Sequence, residues 1–389
     1  MLSGALEGIT VVSLEHAIAA PFCTRQLADL GARVIKVERP GGGDFARGYD
    51  ARARGMSSHF VWVNRGKESL TLDVKAAPEV LSELVARADV VVQNLAPGAA
   101  ARLGLSWPAL REVHPGLIFA EISGYGQDGP YAERKAYDLL IEAEAGFLSL
   151  TGTQEHPSKA GIAIADIAAG MYAYSGILAA VIQRGRTGQG AHLDISMLEA
   201  LAEWTGHPLY YAMDGAAPPP RTAASHAYIL PYGPFAASDG EVILLGVQNA
   251  REWESFARVV LERPDMAEDP ALASITERSA RRETVLPEIT AILGALTGAE
   301  LQARLERAKI GYAKLRDMAD LWAHPQLEAR GRWGTGESEV GPLPALAAPF
   351  QKAEEIAPVP ALGAQTDAIL AELGYAPGDI AGMRTRGVI

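Results

Sequence analysis

A single acidic side chain, Asp166, interrupts an apolar stretch with the sequence GIAIADIAAGMYAYSG over residues 161–176. The stretch predicts a helix that begins near this residue. An aspartate at that position suits a reactive carboxylate, because the amides and the dipole of a helix N-terminus favour its ionised form. The small Ala and Gly side chains around it leave room for a substrate. Asp166 is therefore a candidate reactive carboxylate, and an ordinary helix N-cap is the alternative interpretation.

A second candidate feature is the segment VIKVERPGGGD over residues 34–44, in which a cation and three consecutive glycines follow a predicted strand. In open α/β sheets, ligands bind at the carboxyl ends of the strands. Glycine lets the backbone approach a phosphate closely, and the guanidinium of Arg39 can bind one through two hydrogen bonds. A plain surface turn is the alternative. The glycines are contiguous and do not form the G-x-G-x-x-G pattern, so a nicotinamide dehydrogenase is a poor fit.

Further cations stand at loop-like positions, and a ligand with several phosphates needs several such contacts. The segment Asn94–Gly98 predicts a loop after a strand and precedes one of them. Taken singly, each cation is more typical of a solvated surface, and only their shared placement favours a binding site. The cations are Arg39, Lys67, Lys75, Arg102 and Lys135.

The elements that position these residues alternate between strand and helix through the first half of the chain. Strands separated by helices of about ten to fifteen residues predict βαβ units and a parallel sheet. The predicted strands are 9–14, 33–38, 70–74, 89–93, 117–122 and 191–195. The predicted helices are 20–30, 78–88, 167–182 and 196–204, the third of them buried.

The composition changes at residues 214–227, which have the sequence DGAAPPPRTAASHA. Three consecutive prolines among small residues predict a stiff, extended connector. A different region follows, with a predicted hairpin, several helices and a tail that contains one more short helix. These occupy 232–247 (turn at 239–240), 250–329 and 365–373.

The bulk composition narrows the function classes. The 389 residues include 35 Lys and Arg against 47 Asp and Glu, a formal net charge of −12, which disfavours general binding to nucleic acids or membrane surfaces. The single cysteine, Cys23, excludes an intramolecular disulfide and is typical of a small buried apolar residue. The first residues lack the features of a signal peptide, and the stretch 167–182 is shorter than a membrane span of roughly 20 residues. We therefore expect a cytoplasmic protein.

Together these segments resemble the class III CoA-transferases (CaiB/BaiF type), the family of formyl-CoA:oxalate CoA-transferase, carnitine CoA-transferase and α-methylacyl-CoA racemase. The similarity covers nearly the whole chain. Each segment is weak alone, but in this order and spacing they are specific. The segments are HAIAAPFCTRQLADLGARVIKVERPGGGD, NRGKESLTLD, NLAPGAAARLGL, SGYGQDGPYAERKAYD, IADIAAG and RTGQGAHLDISMLEA.

The resemblance implies an α/β fold with a Rossmann-like parallel-sheet large domain and a smaller α+β domain. It also implies an interlocked homodimer, in which two chains thread through each other. The implied divisions are a large CoA-binding domain at 1–200, a linker at 201–227, a small domain at 228–325, and a linker with a C-terminal return to the large domain at 326–389.

The resemblance also assigns roles to individual residues. Asp166 matches the family nucleophile, and coenzyme A enters as substrate and product, with no metal. The residues that match CoA-contacting positions are Ile18, Ala19, Arg39, Leu72, Lys75, Asn94, Leu95, Ala96, Arg102, Lys135, Tyr137 and Asp138.

Two departures from the family pattern bear on the reaction. Racemase members have a histidine next to an aspartate where this chain has Tyr137-Asp138, and racemisation needs bases on both faces of the α-carbon. Oxalate-specific members have a glutamine two residues after the first-motif histidine, where this chain has Ile18 after His16. Both departures argue against the corresponding activity, so a racemase and a formyl-CoA:oxalate-type transferase on the same fold are the less favoured alternatives.

The segment 203–235 resembles the subgroup that uses succinyl-CoA with C4 and C5 dicarboxylates. Itaconate is the favoured acceptor, with mesaconate or malate next. The second carboxylate of such an acid needs a partner. The candidates are Arg47, Arg65, Arg221 and His226, and for each of them a structural salt bridge or linker contact is the alternative.

Overall fold

The computed structural model describes residues 2–389. The strands in this range are β1 (Thr10–Leu14), β2 (Arg33–Glu38), β3 (Lys67–Thr71), β4 (Val90–Gln93), β5 (Ile118–Ser123), β6 (Ala191–Ser196), β7 (Tyr232–Ala236), β8 (Val242–Gly246), β9 (Gly311–Lys314), β10 (Trp333–Gly336) and β11 (Leu343–Leu346). The first eight helices are α1 (Ala19–Asp29), α2 (Ser58–Asn64), α3 (Pro78–Ala86), α4 (Ala99–Arg102), α5 (Trp107–Val113), α6 (Asp138–Glu144), α7 (Ile164–Thr187) and α8 (Met197–Trp204). The remaining helices are α9 (Gly206–Tyr211), α10 (Ala250–Ser255), α11 (Pro264–Glu268), α12 (Ile275–Ala280), α13 (Arg282–Gly294), α14 (Gly298–Ala308), α15 (Met318–Trp322), α16 (Pro325–Ala329), α17 (Thr366–Leu373) and α18 (Pro377–Thr385).

A six-stranded parallel sheet organises the first of two compact units, which contains residues 2–147, 160–207 and 325–389. Its strand order is β3-β2-β1-β4-β5-β6, and every neighbouring pair is parallel. The predicted parallel sheet is thus confirmed. The strand order reverses between β1 and β4, because β2 and β3 lie on one side of β1 and the later strands lie on the other. Such sheets bind ligands in the crevice at the carboxyl ends of the two strands where the order reverses.

Both faces of this sheet are buried, as expected for parallel strands with helical crossovers. Successive strand residues alternate between faces. Val11 and Val34 pack on one side with α1, α7 and α8, whereas Val12 and Ile35 pack on the other with α3, α4, α5, α17 and α18. The apolar, β-branched runs of the sequence therefore became central strands.

The structure corrects two predicted boundaries. The third strand begins at Lys67 and ends at Thr71, three residues earlier than predicted. The helix predicted at 167–182 is α7, which extends over Ile164–Thr187. By length and composition alone α7 could cross a membrane. Several of its residues, among them Ala169 and Ile177, are nevertheless buried in the core of the first unit.

The second unit contains residues 148–159 and 208–324. The predicted hairpin is confirmed as β7 and β8, which pair antiparallel, and β9 extends them to a three-stranded sheet. A separate core includes Trp253 of α10 and Phe256 of the π-helical turn Phe256–Val260, together with residues of α11, α13 and α14. Residues 216–227 of the predicted connector form neither helix nor strand.

The C-terminal residues return to the parallel sheet of the first unit. The amide of Gln365 donates to the Ser69 carbonyl, and the amide of Thr71 donates to the Thr366 hydroxyl at 3.0 Å. Ile369 and Ile380 complete the core on that face. Residues almost 300 positions apart in sequence thus support the β3 side of the crevice.

Candidate active site

Two loops meet at the point where the strand order reverses. The Asn94 side chain, after β4, accepts a hydrogen bond from the His16 amide and donates one to the His16 carbonyl, both at 2.9 Å. His16 lies two residues after the end of β1. This paired contact fixes the β1 loop against the β4 loop at the carboxyl edge of the sheet.

Asp166 lies in the first turn of α7, and another aspartate caps that helix. The N-cap residue is Ala163, which makes no side-chain cap. Oδ1 of Asp138 accepts hydrogen bonds from the amides of Ala165 (2.8 Å) and Asp166 (3.2 Å), which lack partners within the helix. The alternative interpretation of Asp166 as the N-cap is therefore wrong, and its carboxylate is not used for capping.

The environment of Asp166 shifts its acidity strongly. Burial of the side chain, and then the charge of Asp138, raise the pKa of Asp166 from 3.8 to about 7. The expectation that the helix N-terminus would keep this carboxylate ionised is wrong in direction, because desolvation and a like charge both favour its protonated form. Near neutral pH the side chain therefore exists in both protonation states.

The N-terminus of α1 packs closely on α7 beside Asp166. At Gly170, one turn after Asp166, an added Cβ would lie 2.6 Å from the Ala19 carbonyl oxygen and 3.2 Å from the Phe22 ring. Only glycine permits this approach of the two helices. The backbone around Ile18 and Ala19, whose side chains are buried, is thereby held next to the candidate nucleophile.

Aromatic residues that the sequence analysis missed also surround this region. Phe45 stacks on the His16 ring with centroids 5.0 Å apart, and Tyr49 follows Phe45 with centroids 5.8 Å apart. Both Phe45 and Tyr49 are about half exposed. Burial raises the pKa of Tyr49, with further contributions from Asp44 and Asp166, which indicates that its hydroxyl lies near the carboxylate. No sequence signal distinguished this turn from other surface turns.

The strand order brings most of the predicted CoA contacts to one edge of the sheet. Arg39 follows β2, Lys75 follows β3 and Arg102 lies in α4 after β4, and all three side chains are exposed. Leu72, by contrast, is buried, and the Asn94 side chain is already paired with His16.

The remaining CoA candidates lie in the β4 loop and before α6. Leu95 is partly buried and Ala96 is exposed. Lys135 is exposed and lines a cavity of about 550 Å³ with Arg134 and Tyr125. Tyr137 is 69% exposed.

The β4 loop receives additional support from a chain of polar contacts. The amide of Leu95 donates to the Gln93 side chain at 2.7 Å, and Gln93 donates to Glu121 at 2.9 Å. Glu121 in turn lies 2.6 Å from Nε2 of His192, which is stacked against Trp107. These side chains connect β4, β5 and β6 and fix the backbone of Leu95.

Two predicted ligand cations, Lys67 and Arg65, are buried beside carboxylates. Nζ of Lys67 is buried and lies 2.6 Å from the Glu15 carboxylate, so it is not a solvent-facing phosphate contact. Arg65 is buried and makes two hydrogen bonds to Asp29, at 3.1 and 2.9 Å. Burial requires each cation to pair with a buried carboxylate. Neither side chain therefore faces the crevice in the way that the expected phosphate or substrate contact would need.

Arg47 is held in the same manner. Its guanidinium makes two hydrogen bonds to Glu38, at 2.9 and 2.7 Å, and packs over the Phe60 ring at 3.8 Å. The salt-bridge interpretation of Arg47 is therefore the one that the geometry shows.

Arg221 and His226 belong to the second unit. Arg221 donates to the carbonyls of Thr153 and Gln154, both at 2.8 Å. Nδ1 of His226 accepts from the Ile229 amide at 3.1 Å, and its ring stacks on Tyr232. Both side chains organise the backbone of their own unit. Within residues 2–389, no group of three or more His, Cys, Asp or Glu side chains is arranged to hold a metal ion.

The chain is similar to known proteins in both sequence and fold. Residues 6–366 match the family model described as CoA-transferase family III. The chain belongs to this family. CoA-transferase family III enzymes use CoA thioesters as substrates, so the chain is an enzyme of this class.

Several relatives have assigned activities. The chain is 33% identical to "Acetyl-CoA:oxalate CoA-transferase" of Acetobacter aceti, over 84% of this chain and 85% of the relative. It is 32% identical to "Succinyl-CoA:glutarate CoA-transferase" of Homo sapiens, over 99% and 90%. It is 34% identical to "Succinyl-CoA:mesaconate CoA-transferase" of Haloarcula hispanica, over 84% of each.

A solved structure supports the fold assignment. The crystal structure of a CAIB/BAIF family protein from Brucella suis has a TM-score of 0.81 and 32% sequence identity. The match covers 95% of this chain and 99% of that protein. The CoA-transferase fold therefore extends through both compact units.

Proposed function

We propose that this CoA-transferase moves CoA from succinyl-CoA to a small dicarboxylic acid, with Asp166 as the covalent nucleophile. One observation carries the proposal: a carboxylate with a pKa of about 7 lies in the first turn of α7, next to the packed N-terminus of α1. A carboxylate with this pKa is partly ionised at neutral pH, and it is more nucleophilic than a strongly acidic one.

The reaction proceeds as a series of acyl exchanges. Asp166 attacks the thioester carbonyl and expels CoA thiolate, which forms an aspartyl–succinyl anhydride. The thiolate attacks the Asp166 carbonyl, giving an aspartyl-CoA thioester and free succinate. The acceptor carboxylate attacks this thioester and releases CoA thiolate, which forms a second anhydride between Asp166 and the acceptor. The thiolate then attacks the acceptor carbonyl of this anhydride, which gives the new acyl-CoA and frees the Asp166 carboxylate. One thioester replaces another, so the exchange is close to thermoneutral.

The residues around the crevice of Asp166 fall into groups with different proposed roles. The exposed cations Arg39, Lys75 and Arg102 are suited to the phosphates of CoA. The loop of Asn94, Leu95 and Ala96 flanks the same crevice. On the other side, Lys135, Tyr137 and Asp138 precede or begin α6, and Asp138 contacts the backbone of Asp166 directly.

The acceptor is the least constrained part of the proposal. Itaconate, with mesaconate or malate next, stays the predicted choice, and the relatives add glutarate and oxalate as candidates. Arg65 and Arg47 are occupied by Asp29 and Glu38, so we do not assign them to the distal carboxylate. A panel of these five acids, at equal concentration with succinyl-CoA, ranks them by kcat/KM.

The deciding experiment is peptide mass spectrometry after incubation with succinyl-CoA and trapping by hydroxylamine or borohydride. We expect a modification on the peptide that contains Asp166, and none in the Asp166→Ala variant. Transfer activity without a trappable adduct, or with an undiminished rate in Asp166→Ala, would refute the covalent role. Exchange of the α-proton with deuterated water, without acyl transfer, would instead indicate a racemase.

We also propose that two chains form the interlocked homodimer, with the large domain, linkers and small domain divided as the sequence analysis predicts, and that the enzyme works in the cytoplasm. Large apolar side chains are exposed in the isolated chain, which is typical of association surfaces. They include Tyr137, Leu140 and Ile182 in the first unit and Leu209 and Tyr210 in the second. Light scattering on the purified protein tests the dimer.

A further inference from the structure

A network of four buried charges lies beneath the crevice and is not used by the proposed reaction. Nζ of Lys36 is 2.9 Å from Oδ2 of Asp44 and 3.3 Å from Oε1 of Glu15. Nζ of Lys67 is 2.6 Å from the same Glu15 oxygen. None of the four residues is more than 4% exposed. We call these residues, Glu15, Lys36, Asp44 and Lys67, the buried ion network.

The network is costly to bury. Each charged group loses its hydration on burial, and well-packed apolar side chains of similar volume are often at least as stabilising. Burial by itself would raise the pKa of Asp44, but its contacts with His16 and Lys36 outweigh this and hold the pKa below its usual range. Stability alone therefore gives no sufficient reason for an ionised carboxylate at this position.

Asp44 connects two backbone turns. Its Oδ1 accepts hydrogen bonds from the amides of Ala17 (3.2 Å) and Ala46 (2.9 Å), while its Oδ2 accepts from Lys36. Ala17 has a φ of 61°, a left-handed conformation that is unfavourable for a residue with a Cβ. The hydrogen bond to Asp44 compensates for that strain and holds the turn in place.

Both turns lead to the neighbourhood of Asp166. Ala17 immediately precedes the N-terminus of α1, where the Ala19 carbonyl packs against Gly170, one helical turn from Asp166. Ala46 lies in the 3₁₀ turn Phe45–Gly48, whose Phe45 ring stacks on His16. Nζ of Lys36 contacts the Asp44 carboxylate, and the Glu15 carboxylate contacts the same Nζ.

We propose that Asp44, anchored by Lys36, is a positioning residue that holds the Ala17 turn and the Phe45–Gly48 turn in register beside the nucleophile. Asp44 does not touch the reacting atoms and acts through the two amides that it binds. This inference rests on the proposed function of Asp166. Misplacement of a reacting group by about 1 Å can cost about 10²-fold in rate, so a small loss of register is measurable.

The test is the rate of adduct formation at Asp166 under single-turnover conditions with saturating succinyl-CoA. In Asp44→Asn the acceptor oxygen for the amides can remain, but the charge that pairs with Lys36 is lost. In Lys36→Met the carboxylate remains without its cation. We expect both variants to slow adduct formation by about tenfold to 10²-fold, while the succinyl-CoA concentration that half-saturates this single-turnover rate stays unchanged.

Asp29→Asn is the matched control, because Asp29 is also a buried carboxylate paired with arginines, at the other end of α1. We expect it to lower the melting temperature to a similar extent and to change the adduct rate by less than about threefold. Equal slowing in Asp29→Asn and Asp44→Asn would overturn the inference, because the effect would then be general destabilisation. So would wild-type rates in Lys36→Met. If the wild type itself forms no adduct, the proposed function fails first, and the role of Asp44 fails with it.

Discussion

Replacement of Asp138 by asparagine is expected to shift the pH dependence of the reaction. Asp138 has two effects on Asp166: its Oδ1 caps α7 through the amides of Ala165 and Asp166, and its negative charge raises the pKa of Asp166 in addition to the larger effect of burial. Asp138→Asn retains an oxygen for the amides and removes the charge. Any change in the pH profile then reports the electrostatic effect alone.

The size of the shift is bounded by the rise in the pKa of Asp166 from 3.8 to about 7. Burial is the larger cause of this rise, so the Asp138 charge contributes less than half of it, on the order of one pKa unit or about 1.4 kcal/mol. The wild-type acid limb of kcat/KM is expected near pH 7, where Asp166 loses its proton. In Asp138→Asn we expect this limb to move to about pH 6, since about one unit of pKa is removed.

The assay is the initial rate of CoA transfer at low succinyl-CoA between pH 5 and 9, because the pH profile of kcat/KM reports the free enzyme. Asp138→Ala serves as the companion variant. It also removes the cap and should destabilise the protein by about 1 kcal/mol, whereas Asp138→Asn should not. An acid limb that stays at pH 7 in Asp138→Asn, or that moves upward, would refute the assignment of this limb to Asp166 and its neighbour.

Three further predictions concern stability and the CoA site. Because the folded pKa of Asp166 lies above its ordinary value of 3.8, the side chain costs stability as the pH rises from about 4 to 7. The side chain is partly exposed, which reduces the free-energy cost of ionising it. Asp166→Asn should therefore raise the free energy of unfolding, measured in urea, by about 2 kcal/mol at pH 8 and by much less at pH 4. Equal increases at both pH values would contradict this prediction. Glu121→Gln weakens the support of the β4 loop and should raise the KM for succinyl-CoA about twofold to tenfold with kcat nearly constant; an unchanged KM would count against it. Gly170→Ala should cost about 1–3 kcal/mol through its clash with Ala19. Gly185→Ala, in the same helix with open space around it, should instead stabilise by about 0.5–1 kcal/mol.

Local patterns were sufficient for the framework of the first unit. The strand at 33–38 has the predicted bounds, and the helix predicted at 20–30 lies at Ala19–Asp29, one residue earlier. Gly31, with a φ of 95°, follows the end of that helix as the pattern predicts. The bounds of these elements depend on residues that are close in sequence, so the sequence alone is enough to predict them. The order of the family segments indicated the CoA-transferase assignment in the same way. The roles of individual CoA-contacting residues stay predictions.

Charged residues were harder to place, because residue type does not reveal burial. Lys67 and Lys75 are eight positions apart, yet Lys67 pairs with Glu15 inside the protein and Lys75 is exposed. A lysine within the apolar run VIKVE was a usable signal, because charged side chains in central parallel strands need buried partners. The sequence did not identify Asp44, which provides the partner for Lys36.

The sequence by itself determined the strand and helix alternation, the family, and the position of an isolated carboxylate at the start of a helix. Only the tertiary structure decided the chemical state of that carboxylate. Asp138 lies 28 residues before Asp166 in the sequence. The burial that dominates the pKa of Asp166 comes from segments that the fold brings together. Secondary structure follows from local steric and apolar patterns, whereas electrostatic free energies depend on every charge and on the exclusion of water around a group. Those quantities exist only once distant parts of the chain have packed.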